Sequence, residues 1–181
     1  MKITETKLKG CLILEPEIFE DDRGFFFEVF KKKELSAFLG YDVDFVQENK
    51  SFSKKDVLRG LHFQKGDNAQ AKLVSVQKGK VVDVVVDIRP DSVTFGEHIK
   101  VHLSDVNNKS IFIPRGMAHG FVTLTDDVVF TYLCDNYYDP KMESGIIYND
   151  SDLSIDWGFA SSELIVSEKD LILPTFKELM Q

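Results

Sequence analysis

The stretch LVSVQKGKVVDVVVDIRP, Leu73 to Pro90, decides the fold class. LVSV (Leu73–Val76) and KVVDVVVDIR (Lys80–Arg89) are short, β-branched runs, and Gly79 in the QKGK between them supplies a turn, so the pair predicts a β-hairpin. Working outward, the same texture recurs. FFFEVF, HIKVHL, KSIFIP, HGFVTL and VVFTYLC all read as strands, separated by the turn signals RPDS, NN and TDD. Helical signals are few: KKKELSAFL near the front and a mixed tail from Ser162 to Met180. The chain therefore reads as mainly β, an antiparallel sandwich or jelly roll with a few short helices, mostly towards its ends.

Length and composition narrow the class. The 181 residues fit one domain, 1–181, and no repeat, low-complexity linker or change of composition divides them. Hydrophobic content of 43% and charged content of 29% are those of an ordinary globular protein. A net charge of −8 sets the overall field against nucleic acid and anionic membranes, so a phosphate-bearing ligand needs a local basic pocket. Cys11 and Cys134 stand far apart and match no metal spacing, which favours a reducing compartment. No signal peptide and no run of about 20 apolar residues is present, so the expectation is a cytoplasmic protein without a membrane span.

A jelly roll can hold a ligand between its sheets. Period-two alternation puts Phe130, Tyr132 and Cys134 on one face of their strand, His119, Phe121 and Thr123 on another, and Lys72, Val74 and Val76 on a third. Each strand thus sends one polar group inward among apolar neighbours. VLRGLHFQ (Val57–Gln64) carries Arg59 and His62, which a regular strand would place on opposite faces. If both reach one pocket, a bulge at Gly60 is required.

Histidines in a jelly roll raise the question of a metal. IPRGMAHGF resembles the second cupin motif, with Pro114, Gly116 and His119 in order. The first cupin motif needs two histidines one residue apart and a later Glu. Here the text is His62-Phe63-Gln64 followed by Lys72, a poor ligand set. Proton transfer suits the residues better. Neutral His is a competent base near pH 7, Tyr is an acid for the opposite face of a carbanion, and Lys or a second His stabilises an enolate oxygen. Such a set suits a racemase or epimerase acting beside a ketone.

Composition and periodicity do not assemble that set; longer motifs do. FEDDRGFFFEVF, VQENKSFS, VLRGLHFQ, QAKLVSV, VVVDIRPDSVTFG, IPRGMAHGF, YYDPKMESGI and the pair IDW and SEKD closely resemble the dTDP-4-dehydrorhamnose 3,5-epimerase family. They run in order over nearly the whole chain. The resemblance implies a cupin-like jelly roll and an isomerase of nucleotide 4-keto-6-deoxysugars in dTDP-rhamnose biosynthesis. It implies no cofactor and no metal, and no GxGxxG motif is present to hold a dinucleotide.

The resemblance also assigns roles. His62 is the base and Asp170, of SEKD, its dyad partner. Tyr132 is the acid on the other face of the sugar, and Lys72 and His119 lie near the C4 oxygen. Arg59 meets the diphosphate, as suits a guanidinium. Gln47 and Asn49 bind in the nucleotide pocket, Tyr138 stacks on the base, and Glu143 and Lys169 fall at matching binding positions. Arg23, Phe26 and Glu28 match residues contributed across a strand-exchanged homodimer. His98, His102 and the lysines at 31–33 and 54–55 read as structural or solvated positions. Three alternatives stand beside this expectation: a mono-epimerase acting at C3 or C5 only, a non-catalytic nucleotide-sugar binding protein, and a metal-dependent cupin enzyme.

Overall fold

The computed structural model describes residues 1–179. The front of the chain forms strands β1 (Lys2–Glu5), β2 (Leu12–Glu15), β3 (Ile18–Asp21) and β4 (Gly24–Phe27), helix α1 (Lys32–Leu39) and strand β5 (Gln47–Ser53). The middle adds β6 (Val57–Gln64), β7 (Lys72–Lys78), β8 (Lys80–Asp87) and β9 (His98–Ser104). Then come β10 (Ser110–Ile113), β11 (Met117–Thr123), β12 (Val128–Cys134), β13 (Glu143–Gly145) and β14 (Ile165–Val166), and the short helices α2 (Glu168–Leu171) and α3 (Phe176–Leu179).

Two sheets face each other. One runs β1-β2-β10-β7-β12-β5 and the other β13-β6-β11-β8-β9, with β14 beside β6. Neighbours are antiparallel except β14, which runs parallel to β6. This is the mainly β jelly roll that the strand pattern predicts, in the cupin-like form that the motif resemblance implies. One expectation fails: β7 and β8 are not a hairpin, because β7 lies in the first sheet and β8 in the second. Gly79, at φ +83°, turns the chain from one sheet to the other. A Cβ there would fall 2.6 Å from Thr125 Oγ1 and 3.0 Å from Val128 Cγ2, so the crossing needs glycine. A glycine turn between two apolar runs marks a reversal without saying which sheet receives the second strand.

Three apolar layers explain the sequence texture. Between the sheets, Val74, Val76, Ile111 and Phe130 meet Val81, Val85, Leu103 and Phe121. Outside the second sheet, Val82, Val84 and Val86 are covered by Ile146, Tyr148 and Trp157. Outside the first, Leu12, Leu14, Leu73 and Phe112 are covered by Leu35 of α1 and by Val43. β8 is thus buried on both faces, which is why it reads as a continuous run of valines. Its Asp83 and Asp87 point between the sheets with Val81 and Val85.

The ends depart further from expectation. FFFEVF is extended only to Phe27, where β4 closes a small hairpin with β3 apart from both sheets. The expected tail helix is broken into a 3-10 turn at Ser161–Glu163, the strand β14, and α2 and α3, while Met180 lies outside the described residues. Among the described residues, no helix is long and apolar enough to cross a membrane. Cys11 and Cys134 are both buried and unpaired.

Candidate active site

A bulge in β6 builds the site. Against β11, His62 faces His119 and Arg59 faces Phe121, so Gly60 and Leu61 together oppose the single residue Gly120. Gly60 has φ +124°, and a Cβ on it would fall 2.5 Å from Gly120 Cα and 2.8 Å from the His119 carbonyl oxygen. Only glycine fits there. With the extra residue accommodated, Arg59 and His62 line the same cavity, as the sequence requires if they are to act together.

That cavity, of about 450 Å³, draws on both sheets and on α2. His62, Lys72, Tyr132 and Asp170 line it, together with Gln47, Asn49, Arg59, His119, Tyr138, Glu143 and Lys169. Arg23, Phe26 and Glu28 do not. Arg23 pairs with Asp21, Glu28 with Lys31, and Phe26 is 66% exposed on the β3–β4 hairpin. The structure does not bring these three to the cavity of their own chain.

His62 Nε2 lies 2.7 Å from Asp170 Oδ1. The Gly60 N–H donates to Asp170 Oδ2 at 3.3 Å, and the Asp170 N–H donates to Ser167 Oγ, the cap of α2, at 3.2 Å. Burial pushes the Asp170 carboxyl up, but the hydrogen bond and charge of His62, with Gly60 and Ser167, outweigh it and hold it below the usual range. Asp170 is therefore a carboxylate at neutral pH. A carboxylate only accepts, so the proton in this hydrogen bond comes from His62 Nε2.

A second pair lies across β11. His119 Nε2 is 2.8 Å from Asp83 Oδ2, with both side chains buried, and Asp83 Oδ1 has no hydrogen-bond partner among the described residues. Burial pushes Asp83 up, against the opposing pull of His119 and Lys72. Lys72 Nζ lies 5.8 Å from the centroid of the Tyr132 ring. Burial pulls the Lys72 ammonium down, with Cys134, Asp83 and Glu143 opposing. Burial likewise pushes the Tyr132 phenol up, so Tyr132 is a neutral O–H donor at pH 7. Imidazole, phenol and lysine amine converge on one space, a set of groups that can move protons beside a carbonyl.

The rim is polar and partly basic. Arg59 spends two donors on protein, Nε to Ser53 Oγ at 3.1 Å and Nη2 to the Phe52 carbonyl at 3.3 Å, from a fork of five. The Tyr138 hydroxyl and Lys169 Nζ both donate to Glu143 Oε2, at 2.7 and 2.5 Å. Burial pushes Glu143 up, but those two bonds and the charges of Lys169 and His62 bring it below the usual range. Gln47 Nε2 donates to Asn49 Oδ1 at 3.0 Å, and its Oε1 accepts the Tyr138 N–H at 2.9 Å.

Sequence reasoning passed over Asp83, Ser51 and Gln64. Asp83 has a legible signal, because a carboxylate inside VVDVVV must find a buried partner. Ser51 shares the Gln47–Asn49 face of β5, and Gln64 ends the strand read only for its Arg and His; both line the cavity. Among the described residues, no group of three or more His, Cys, Asp or Glu is placed to hold a metal ion.

Two histidine–carboxylate pairs, a lysine and a phenol thus stand at one cleft of the jelly roll. The family model described as dTDP-4-dehydrorhamnose 3,5-epimerase matches residues 5–178. A protein of that name from Escherichia coli (strain K12) is 50% identical over 181 residues, 100% of this chain and 97% of its own length. The crystal structure of dTDP-4-dehydrorhamnose 3,5-epimerase from Elizabethkingia anophelis NUHP1 superposes with a TM-score of 0.95 at 49% identity, covering 98% of this chain and 97% of that one. An epimerase from Legionella pneumophila Philadelphia 1, solved in complex with dTDP-4-keto-L-rhamnose, gives 0.92 at 44% identity, covering 97% and 93%. This chain belongs to the dTDP-4-dehydrorhamnose 3,5-epimerase family.

Proposed function

We infer that this chain is a dTDP-4-dehydrorhamnose 3,5-epimerase that converts dTDP-4-dehydro-6-deoxy-glucose to dTDP-4-dehydro-rhamnose, with His62 as its base. The C4 ketone acidifies the hydrogens on C3 and C5. His62 Nδ1 removes one of them while Asp170 holds the other ring nitrogen and stabilises the imidazolium. The electron pair moves onto the C4 oxygen, where Lys72 and His119 stabilise the enolate. Tyr132 returns a proton to the opposite face of the same carbon; solvent then takes the proton from His62 and restores the one on Tyr132, and the sequence repeats at the second carbon. The observation that carries this reading is the His62–Asp170 pair at 2.7 Å in the cavity that Tyr132 and Lys72 also line.

Arg59 holds the diphosphate with the donors it has left. Gln47 and Asn49 bind the nucleoside, Tyr138 stacks on the base, and Glu143 and Lys169 complete that rim. The homodimer is part of the proposal, with the β3–β4 hairpin exchanged so that Arg23, Phe26 and Glu28 serve the neighbour's site. Its support is a hairpin that exposes Phe19, Phe25 and Phe26, and an edge strand, β5, that exposes Phe52 beside the cavity. Two buried, unpaired cysteines fit a cytoplasmic setting.

The direct test is turnover of the 4-keto sugar nucleotide, with the product trapped by reduction. His62→Asn should lose at least about 10²-fold in rate with the fold intact. Mixing subunits carrying His62→Asn with subunits carrying Arg23→Ala tests the exchange. Partial recovery of activity is expected, because one site of each mixed dimer regains both residues; no recovery contradicts a shared site.

A further inference from the structure

Tyr138 sits in the segment between Cys134 and Glu143, and half of its surface is exposed. Beyond the hydroxyl bond to Glu143, a ring so exposed depends on its backbone for orientation. Gln64, buried at the end of β6 and two residues from His62, grips that backbone. Its Nε2 donates to the Tyr137 carbonyl at 3.1 Å and to the Asn68 carbonyl at 2.7 Å, and its Oε1 accepts the Asp139 N–H at 2.6 Å. One amide thus binds the peptide groups on both sides of Tyr138, while Gln47 Oε1 holds the Tyr138 N–H itself. The backbone of Gln64 also pairs with Glu143, the acceptor of the Tyr138 hydroxyl.

Both donors and the acceptor of the Gln64 amide are engaged, so no other side chain of that size reproduces the set. We propose that Gln64 is a positioning residue for the nucleotide end of the site: it fixes Tyr138 from both sides and so sets nucleotide affinity without touching the proton-transfer groups. The inference rests on the reading of Tyr138 as the base-stacking residue. Positioning of this kind acts on binding, because the energy of ordering the loop is otherwise drawn from the ligand.

The test compares Gln64→Met, Gln64→Glu and Tyr138→Ala, each titrated with dTDP by calorimetry and assayed for turnover. Gln64→Met keeps the volume and loses all three bonds; Gln64→Glu keeps only the acceptor for Asp139, and carries the test if the Met variant is insoluble. For both Gln64 variants, the dTDP Kd and substrate KM should rise about tenfold, equivalent to about 1.4 kcal/mol. Their kcat should stay within about threefold of wild type. A dTDP Kd within about twofold of wild type in the Gln64 variants, alongside weakened binding in Tyr138→Ala, overturns the Gln64 role and leaves the site reading standing. A fall in kcat at unchanged KM also overturns it, since that is a structural effect on His62. Unweakened dTDP binding by Tyr138→Ala removes the stacking role and the Gln64 inference with it.

Discussion

Replacing Asp170 with Asn tests the base most sharply, because the structure dictates how the amide must sit. Asp170 accepts twice, from His62 Nε2 at 2.7 Å and from the Gly60 N–H at 3.3 Å. An amide has one acceptor atom and one donor group in those two places, so one orientation sets its NH2 against the backbone of Gly60. That N–H cannot change, and leaving it unpaired in a buried site costs about 1–3 kcal/mol. The imidazole can change, by moving its proton from Nε2 to Nδ1. The amide therefore turns its NH2 toward His62, and the proton arrives on the nitrogen that should be the base. A wrong-tautomer histidine costs about 10⁴-fold in kcat where a serine hydrolase triad has been so altered, and about 10³–10⁴-fold is expected here. The assay is single-turnover epimerisation, with ¹⁵N NMR of His62 to read which nitrogen carries the proton. Activity within about tenfold of wild type, or an unprotonated Nδ1 in the variant, would refute the reasoning.

Gly60→Ala pushes a methyl to 2.5 Å from Gly120 Cα at φ +124°. The bulge must distort, and kcat/KM should fall at least about 10²-fold, since a 1 Å misplacement of reacting groups costs that much; an active, fully stable variant contradicts the role given to the bulge. Asp87 accepts from Arg89, Ser92 and Thr94, and although burial pushes its carboxyl up, those bonds hold it well below the usual range. Asp87→Ala should cost about 3 kcal/mol at pH 7. Because the folded pKa is depressed, that contribution is present above about pH 3.9 and is lost as pH falls through the folded value; chemical denaturation across pH should show wild type and variant converging in acid. Cys11, pushed up to about 12 by burial, and the buried Cys134 should resist a thiol reagent at pH 8 in the native protein. Both should react after denaturation, and rapid native labelling would contradict their burial.

The parts of the molecule that the sequence revealed are those governed by local rules. Strand β8 was legible because burial on both faces demands continuous valines, and the bulge because Arg59 and His62 have the wrong spacing for a common face. The misassigned turn at Gly79 shows the limit, since sheet membership is decided by partners such as β10 and β9 far along the chain. Asp170 could not be paired with His62 from spacing at all. They are 108 positions apart, and only the packing of α2 against β6 joins them. The motif resemblance supplied that pair, and the fold brings it to 2.7 Å. Asp83 was overlooked although a carboxylate inside a run of valines calls for a buried partner; that the partner is His119 only the pairing of β8 with β11 shows.

The central claim is that His62 exchanges the hydrogens on both carbons beside the C4 ketone. NMR of the purified protein with dTDP-4-dehydro-6-deoxy-glucose in D₂O tests it directly. Deuterium is expected at C3 and at C5, with none at either carbon above background for His62→Asn. Exchange at one carbon alone, at neither, or at both in the His62→Asn variant would contradict it.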